Sequence, residues 1–188
     1  MRLLEEAILA NGRILDNDII KVDSFINHQV DVKLMREIAK EVKGEFKDVD
    51  KVLTIVTSGI PYAFALAEEY GVNLVFAKKN PSRIVDLNNS YMEEIPSFTH
   101  GNISNVTVDK RFIQKGERVL IADDFLASGA AALGLINIIN QAGAICVGIT
   151  ALIEKSFQGG RDKIEKQGYK VVTGANIIAF KDNKPIFG

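Results

Sequence analysis

At 188 residues, with 47% hydrophobic and 25% charged side chains, the chain is sized for one packed domain and has neither a disordered nor a fibrous composition. Its 23 basic and 24 acidic residues leave a formal net charge of -1, which gives no general attraction to nucleic acid or to an anionic membrane. The opening stretch MRLLEEAILANG is interrupted by Glu5 and Glu6, so it lacks a signal-peptide core, and nothing approaches the roughly 20 apolar residues of a membrane span. The single cysteine, Cys146, cannot close an intramolecular disulfide and reads as a buried structural thiol in a reducing compartment. The expected location is the cytoplasm.

In chain order, Leu3, Leu4, Ala7 and Ile8 recur at helical spacing before the stop signal Asn11-Gly12, which predicts a short amphipathic helix. Residues 14 to 30 carry no such pattern and read as irregular. Asp31 is a candidate cap for a second helix, whose apolar face is Leu34, Met35, Ile38, Ala39 and Val42, ending at Gly44. VLTIV (52–56) has the length and β-branching of a buried strand; TSGIP then leads into the helical YAFALAEEY, closed by Gly71. NLVFAKK (73–79) is the next strand. VLIAD (119–123), a helix over 130–141 and ICVGITALI (145–153) repeat the pattern. Strands alternating with helices predict an α/β fold with a mostly parallel sheet covered on both faces, and ligands beyond the strands' carboxyl ends.

Residues 80 to 110 break the alternation: they are polar, contain Pro81 and Pro96, and hold no sustained helical face. A long insert of this kind predicts a lid together with a hairpin, with ISNVTVD as one strand and the lid over about 80–105.

The segment RVLIADDFLASGAA (118–131) sets two acids, Asp123 and Asp124, at the predicted carboxyl end of a buried strand. Behind them Ala127, Ser128 and Gly129 are small enough for backbone N–H groups to approach an anion, and the following helix adds its positive end. Acids beside a phosphate cradle need other work, such as accepting hydrogen bonds from sugar hydroxyls or neighbouring a metal ion. Neither GxxxxGK[ST] nor the GxGxxG spacing is present, and a receiver domain would place its acids near the first strand.

VLIADDFLASGAA resembles the signature of the type I phosphoribosyltransferases: apolar strand, two acids, two apolar residues, then a small-residue loop opening a helix. KVDSFINHQVD (21–31), TSGI (57–60) and IEKSFQGG (153–160) extend the likeness almost end to end, and point to the bacterial xanthine branch. The resemblance implies transfer of ribose 5-phosphate from 5-phosphoribosyl 1-pyrophosphate to a purine, with Mg²⁺ bound through the substrate. It implies a single domain over 1–188, with a small hood from about 1–30 plus the C-terminal segment, and a homodimer.

Carried over residue by residue, Asp123 and Asp124 are the catalytic acids that hold the ribose hydroxyls, and Ala127, Ser128, Gly129, Ala130 and Ala131 bind the 5′-phosphate. Thr57, Ser58 and Gly59 offer donors to the pyrophosphate, and Lys78 and Lys79 neutralise it, with a basic residue here serving the partner subunit in some relatives. Ile20, Asn27 and Lys155 are implied for the base: an apolar cover, an amide at its edge and an ammonium at a carbonyl. Taken alone, Ile20 reads as core, Asn27 as a turn residue and Lys155 as a solvated cation; Phe157 reads as a stacking or a core ring. His28 and His100 have no partner at metal or triad spacing.

Three positions depart from the pattern. Val56 stands where relatives often carry Glu, Ser128 replaces Asn, and Pro61 comes early. Ala127 occupies a place where hypoxanthine-guanine enzymes usually have Asp, which leaves the xanthine and adenine branches. The alternatives are a guanine, hypoxanthine or adenine transferase, or a non-catalytic regulator on the same fold. Purine-operon repressors of that kind carry a DNA-binding domain in front, whereas only about 50 residues precede the first buried strand here. DNA is therefore not an expected partner, while a positive face leaves RNA open.

Overall fold

The computed structural model describes residues 1–16, 19–80, 87–96 and 103–188. A helix α1 (Arg2–Asn11) leads into a small antiparallel ribbon, β1 (Arg13–Asp16) and β2 (Ile19–Lys21), and a wide turn over 23–27. Then follow α2 (Val32–Lys43), β3 (Lys51–Ile55), α3 (Ile60–Tyr70) and β4 (Asn73–Lys79). A hairpin of β5 (Ser90–Pro96) and β6 (Ile103–Asp109) comes next, then β7 (Arg118–Leu126), α4 (Ala130–Gln141), β8 (Ile145–Lys155), α5 (Gly160–Glu165), β9 (Val171–Lys181) and β10 (Lys184–Phe187).

Among the described residues the main sheet runs β10-β9-β8-β7-β3-β4-β6-β5. Its centre, from β9 to β4, is parallel; β10 and the β5–β6 hairpin add antiparallel edges. The central strands are apolar on both faces because helices cover both. Leu34, Met35, Ile38, Ala39 and Val42 of α2, with Tyr62, Ala63 and Leu66 of α3, pack on one face; Leu135, Ile136, Ile138 and Ile139 of α4 pack on the other. The cap of α2 is as its sequence predicts, with Asp31 accepting from the Leu34 N–H at 3.0 Å.

Two expectations need correction. Residues 14 to 30 are not irregular throughout, since β1 and β2 pair there through Ile14 and Ile20. β7 runs three residues past its predicted end at Asp123, and β8 runs to Lys155, because the two strands go on pairing through Leu126 and Glu154. The insert after β4 forms the expected antiparallel pair, with ISNVTVD as β6 and Ser90–Pro96 as its partner β5. The C-terminal segment, for which no elements are assigned from the sequence above, forms α5, β9 and β10. Of the predicted lid, about 80–105, residues 90–96 and 103–105 belong to β5 and β6, while residues 81–86 and 97–102 lie outside the described residues.

Candidate active site

The chain leaves β3 to build β4 on one side, then returns at β7 and builds β8 and β9 on the other. The loops after β3 and β7 therefore diverge at a topological switch point, where an open parallel sheet leaves a crevice. After β3 come Thr57, Ser58 and Gly59, then α3 with Pro61 in its first turn, where its missing N–H costs nothing. The Val56–Thr57 peptide is cis. Gly59 lies against the acid pair: a Cβ there would sit 2.6 Å from the Asp123 Oδ1. Tyr62, fully buried, shares a 2.7 Å hydrogen bond with Thr150 of β8 and so fixes the start of α3 to the sheet.

Asp123 and Asp124 lie inside β7, and successive strand residues face opposite sides of the sheet. That answers why two carboxylates stand side by side: they serve different faces. Asp123, half-buried, lines a cleft with Lys79 and Ala127 to Ala131. Asp124, 6% exposed, faces the hood and accepts from the Asn27 amide Nδ2–H at 3.2 Å. Burial and then the neighbouring Asp124 charge hold the Asp123 carboxyl well above the usual carboxylate range, with Lys79 opposing.

Beyond β7, Gly129 takes the left-handed conformation at φ 82° and α4 starts at Ala130, so the loop presents small side chains at the positive end of a twelve-residue helix. Ala127, Ser128, Gly129, Ala130 and Ala131 all line the cleft, as does Lys79; Lys78, one residue earlier on β4, does not. Alternation along a strand separates the two lysines. Ser58 and Gly59 do not line this cleft, but Gly59 touches Asp123 from behind.

The base-side residues are more dispersed. Asn27 reaches the acids. The Lys155 ammonium, at the end of β8, lies 5.6 Å from the centre of the Phe125 ring, and Phe125 in turn lines the cleft. Ile20 is 7% exposed and packs in the hood core near Gly12, so in this conformation its side chain joins the core and not the cleft. Phe157 is half exposed and meets Phe180 edge-on, with ring centres 6.0 Å apart. Cys146 behaves as a structural thiol: it donates weakly to the Gly148 carbonyl, and burial pushes its thiol up to about 11. His28 is exposed on the described surface, and His100 lies outside the described residues.

The model of the phosphoribosyl transferase domain matches residues 21–183. The chain belongs to the phosphoribosyltransferase family. Across its full length it is 45% identical to a xanthine phosphoribosyltransferase of Clostridium novyi, covering 99% of that protein. It is 46% identical to a xanthine phosphoribosyltransferase of Laribacter hongkongensis, covering all of it. Among solved structures, the adenine phosphoribosyltransferase of Trypanosoma brucei superposes at TM-score 0.78 over 95% of this chain and 81% of that one, at 17% identity. That of Rhodothermus marinus superposes at 0.76 over 94% of this chain and all of the other, at 21% identity. These two likenesses show the shared fold.

For a phosphoribosyltransferase the sequence reading missed three supports of the site: Phe125 under Lys155, Gly160 against the loop after β7, and the Glu154–Arg161 pair behind it. The pair of glycines in IEKSFQGG was its visible trace: Gly159 takes φ 71°, and Gly160 closely approaches Ala127 and Gly129.

Proposed function

We propose that this chain transfers ribose 5-phosphate from 5-phosphoribosyl 1-pyrophosphate to xanthine, releasing pyrophosphate and forming xanthosine 5′-monophosphate. The observation that carries this reading is the acid pair at the switch point. One carboxylate faces the loop that suits a 5′-phosphate, and the other is held by a hood amide where a base would enter. The full-length relatives named for xanthine support the choice of base.

In this reading Ala127 to Ala131 grip the 5′-phosphate through backbone N–H groups, and Thr57, Ser58, Gly59 and Lys79 meet the pyrophosphate. Lys78 is assigned to the pyrophosphate of a partner subunit. As the bond to pyrophosphate breaks, positive charge grows on the ribose, and the Asp123 and Asp124 carboxylates offset it while holding the hydroxyls. Asn27, with one N–H given to Asp124, keeps its carbonyl oxygen for a base N–H. Ile20 would cover the base after a shift of the hood, and Lys155 donates to a purine carbonyl.

Among the described residues no three His, Cys, Asp or Glu side chains cluster into a cage. Two carboxylates suit Mg²⁺ that keeps water and substrate oxygens as its other ligands. Asp123 and Asp124 would hold it through the sugar hydroxyls, and its charge would favour departure of pyrophosphate. Among the described residues no helix is long and apolar enough to cross a membrane, and a cytoplasmic homodimer is the assembly proposed. Residues 80–105 are the proposed lid, and limited proteolysis within them is expected to slow when Mg²⁺ and the ribosyl donor are added.

The test is pyrophosphate release with Mg²⁺, donor and each of xanthine, guanine, hypoxanthine and adenine. Xanthine is expected to be preferred. Preference for another purine would move the chain to that branch, and donor binding without turnover would make it a regulator on the same fold.

A further inference from the structure

Behind the 5′-phosphate loop lies a polar cluster to which the proposed chemistry gives no task. Glu154, next to last in β8, is 1% exposed. It accepts from Arg161 Nε at 2.9 Å and Nη2 at 2.5 Å, and from the Thr173 hydroxyl at 2.8 Å. Arg161 Nη2 also donates to the Thr173 Oγ1 at 3.0 Å, and Nη1 donates to the Val171 carbonyl and to Glu165, both at 3.0 Å. All three guanidinium nitrogens are thus engaged, in the rigid fork geometry that lysine cannot reproduce. Neither Glu154 nor Arg161 lines the cleft.

Arg161 sits in the first turn of α5, a helix of six residues, too short to hold its own place. That first turn touches every residue of the loop before α4. The Gly160 N–H donates to the Ala127 carbonyl at 3.0 Å, and Lys163 Nζ donates to the Ser128 carbonyl at 3.1 Å. A Cβ on Gly160 would lie 2.3 Å from the Ala127 oxygen and 2.7 Å from the Gly129 nitrogen, so the approach needs glycine. Glu154 is paired in register with Leu126 at the end of β7, which anchors the pair to the sheet from which the loop departs.

We propose that Glu154 and Arg161 form a positioning pair that sets the 5′-phosphate loop, by clamping α5 so that Gly160 and Lys163 hold the loop carbonyls. The proposal rests on the phosphoribosyltransferase reading. With the Ala127 and Ser128 carbonyls tied to α5, the loop that lines the cleft is held in one shape. The loop is then preformed, and the ordering cost of gripping the phosphate falls on folding and not on binding. Arg161 touches no substrate, so its effect belongs on the affinity for the phosphate end.

The experiment compares wild type with Arg161→Met, Arg161→Lys and Lys163→Met. It measures the dissociation constant for ribose 5-phosphate by calorimetry, the KM for donor and for xanthine, and Tm. Arg161→Met is expected to weaken ribose 5-phosphate and raise the donor KM about tenfold or more, with the xanthine KM at saturating donor changed less than about threefold. Arg161→Lys should recover part of that loss, and the exposed Lys163→Met, which leaves the buried pair intact, should weaken ribose 5-phosphate by about threefold. Unchanged ribose 5-phosphate affinity in folded Arg161→Lys and Lys163→Met proteins would overturn the proposal, even if Arg161→Met fails to fold. So would losses shared equally between donor and xanthine. A wild-type protein that neither binds ribose 5-phosphate nor turns over would sink the transferase reading itself, a different result from active wild type with indifferent variants.

Discussion

Asp123 has a carboxyl that burial and the Asp124 charge make reluctant to ionise, while its proposed task requires the ionised form. The native state holds this proton more tightly than the unfolded chain does, so stability from this group declines as pH rises from the ordinary carboxylate range through the raised value. At neutral pH an ionised Asp123 is a liability to the fold that function retains. Asp123→Asn is therefore expected to lose about a hundredfold or more in turnover, roughly 2.7 kcal/mol of barrier, yet to melt higher than wild type at neutral pH. That advantage should shrink as the buffer is made acidic, and Tm measured against pH together with turnover checks both halves. Lys155 poses a question of selectivity. Its ammonium stands over Phe125, and xanthine offers carbonyls at positions 2 and 6 and loses a proton more readily than its relatives. A charge-assisted bond of about 1.5–3 kcal/mol implies that Lys155→Met loses on the order of tenfold to a hundredfold in kcat/KM with xanthine and far less with adenine. An equal loss with both bases would assign Lys155 to the fold or to pyrophosphate.

The element after the loop that follows β3 owes its place to a buried polar contact. Tyr62 and Thr150 satisfy each other across α3 and β8 where no water reaches, and burial raises the phenol far above its usual range. Tyr62→Phe leaves the Thr150 hydroxyl without that partner and should cost about 1–3 kcal/mol in urea unfolding, whereas Tyr62→Phe with Thr150→Val should recover part of the loss. Helices were the most legible elements in the sequence, because an apolar face, a cap at Asp31 and a stop at Gly71 each act locally. Strand ends were less so. The extension of β7 to Leu126 depends on β8 running alongside it, a condition set by residues 28 positions away, Leu126 and Glu154. For the same reason the acids were placed at the strand's carboxyl end, whereas β7 runs on past them to Leu126. The site was legible where it is contiguous, from Asp123 to Ala131. It was opaque where it is assembled, as Phe125 under Lys155 and α5 behind the loop depend on folding to meet.

Across the whole fold, the strand order brings the loops after β3 and β7, the proposed anion loops, to one crevice and leaves an apolar groove on the flank, between α2 and α3. Val30, Val32, Met35, Ile60, Pro61 and Phe64 line it, with Phe64 62% and Val32 57% exposed. An exposed phenylalanine in a concave apolar surface is the usual mark of a contact face, and the proposed homodimer supplies an occupant. Ile60 and Pro61 follow Gly59 directly, so a second copy seated here would also brace the pyrophosphate loop from outside. Placing a carboxylate in this groove should separate the copies while leaving the core untouched. Phe64→Glu is expected to sediment as a monomer where wild type sediments as a dimer, with the donor KM raised more than the xanthine KM because the loop beside the interface loses its support. A variant that stays dimeric would place the interface elsewhere. A monomeric variant with an unchanged donor KM would keep the interface but disconnect it from the pyrophosphate loop, leaving Gly59 and Asp123 to hold that loop from within.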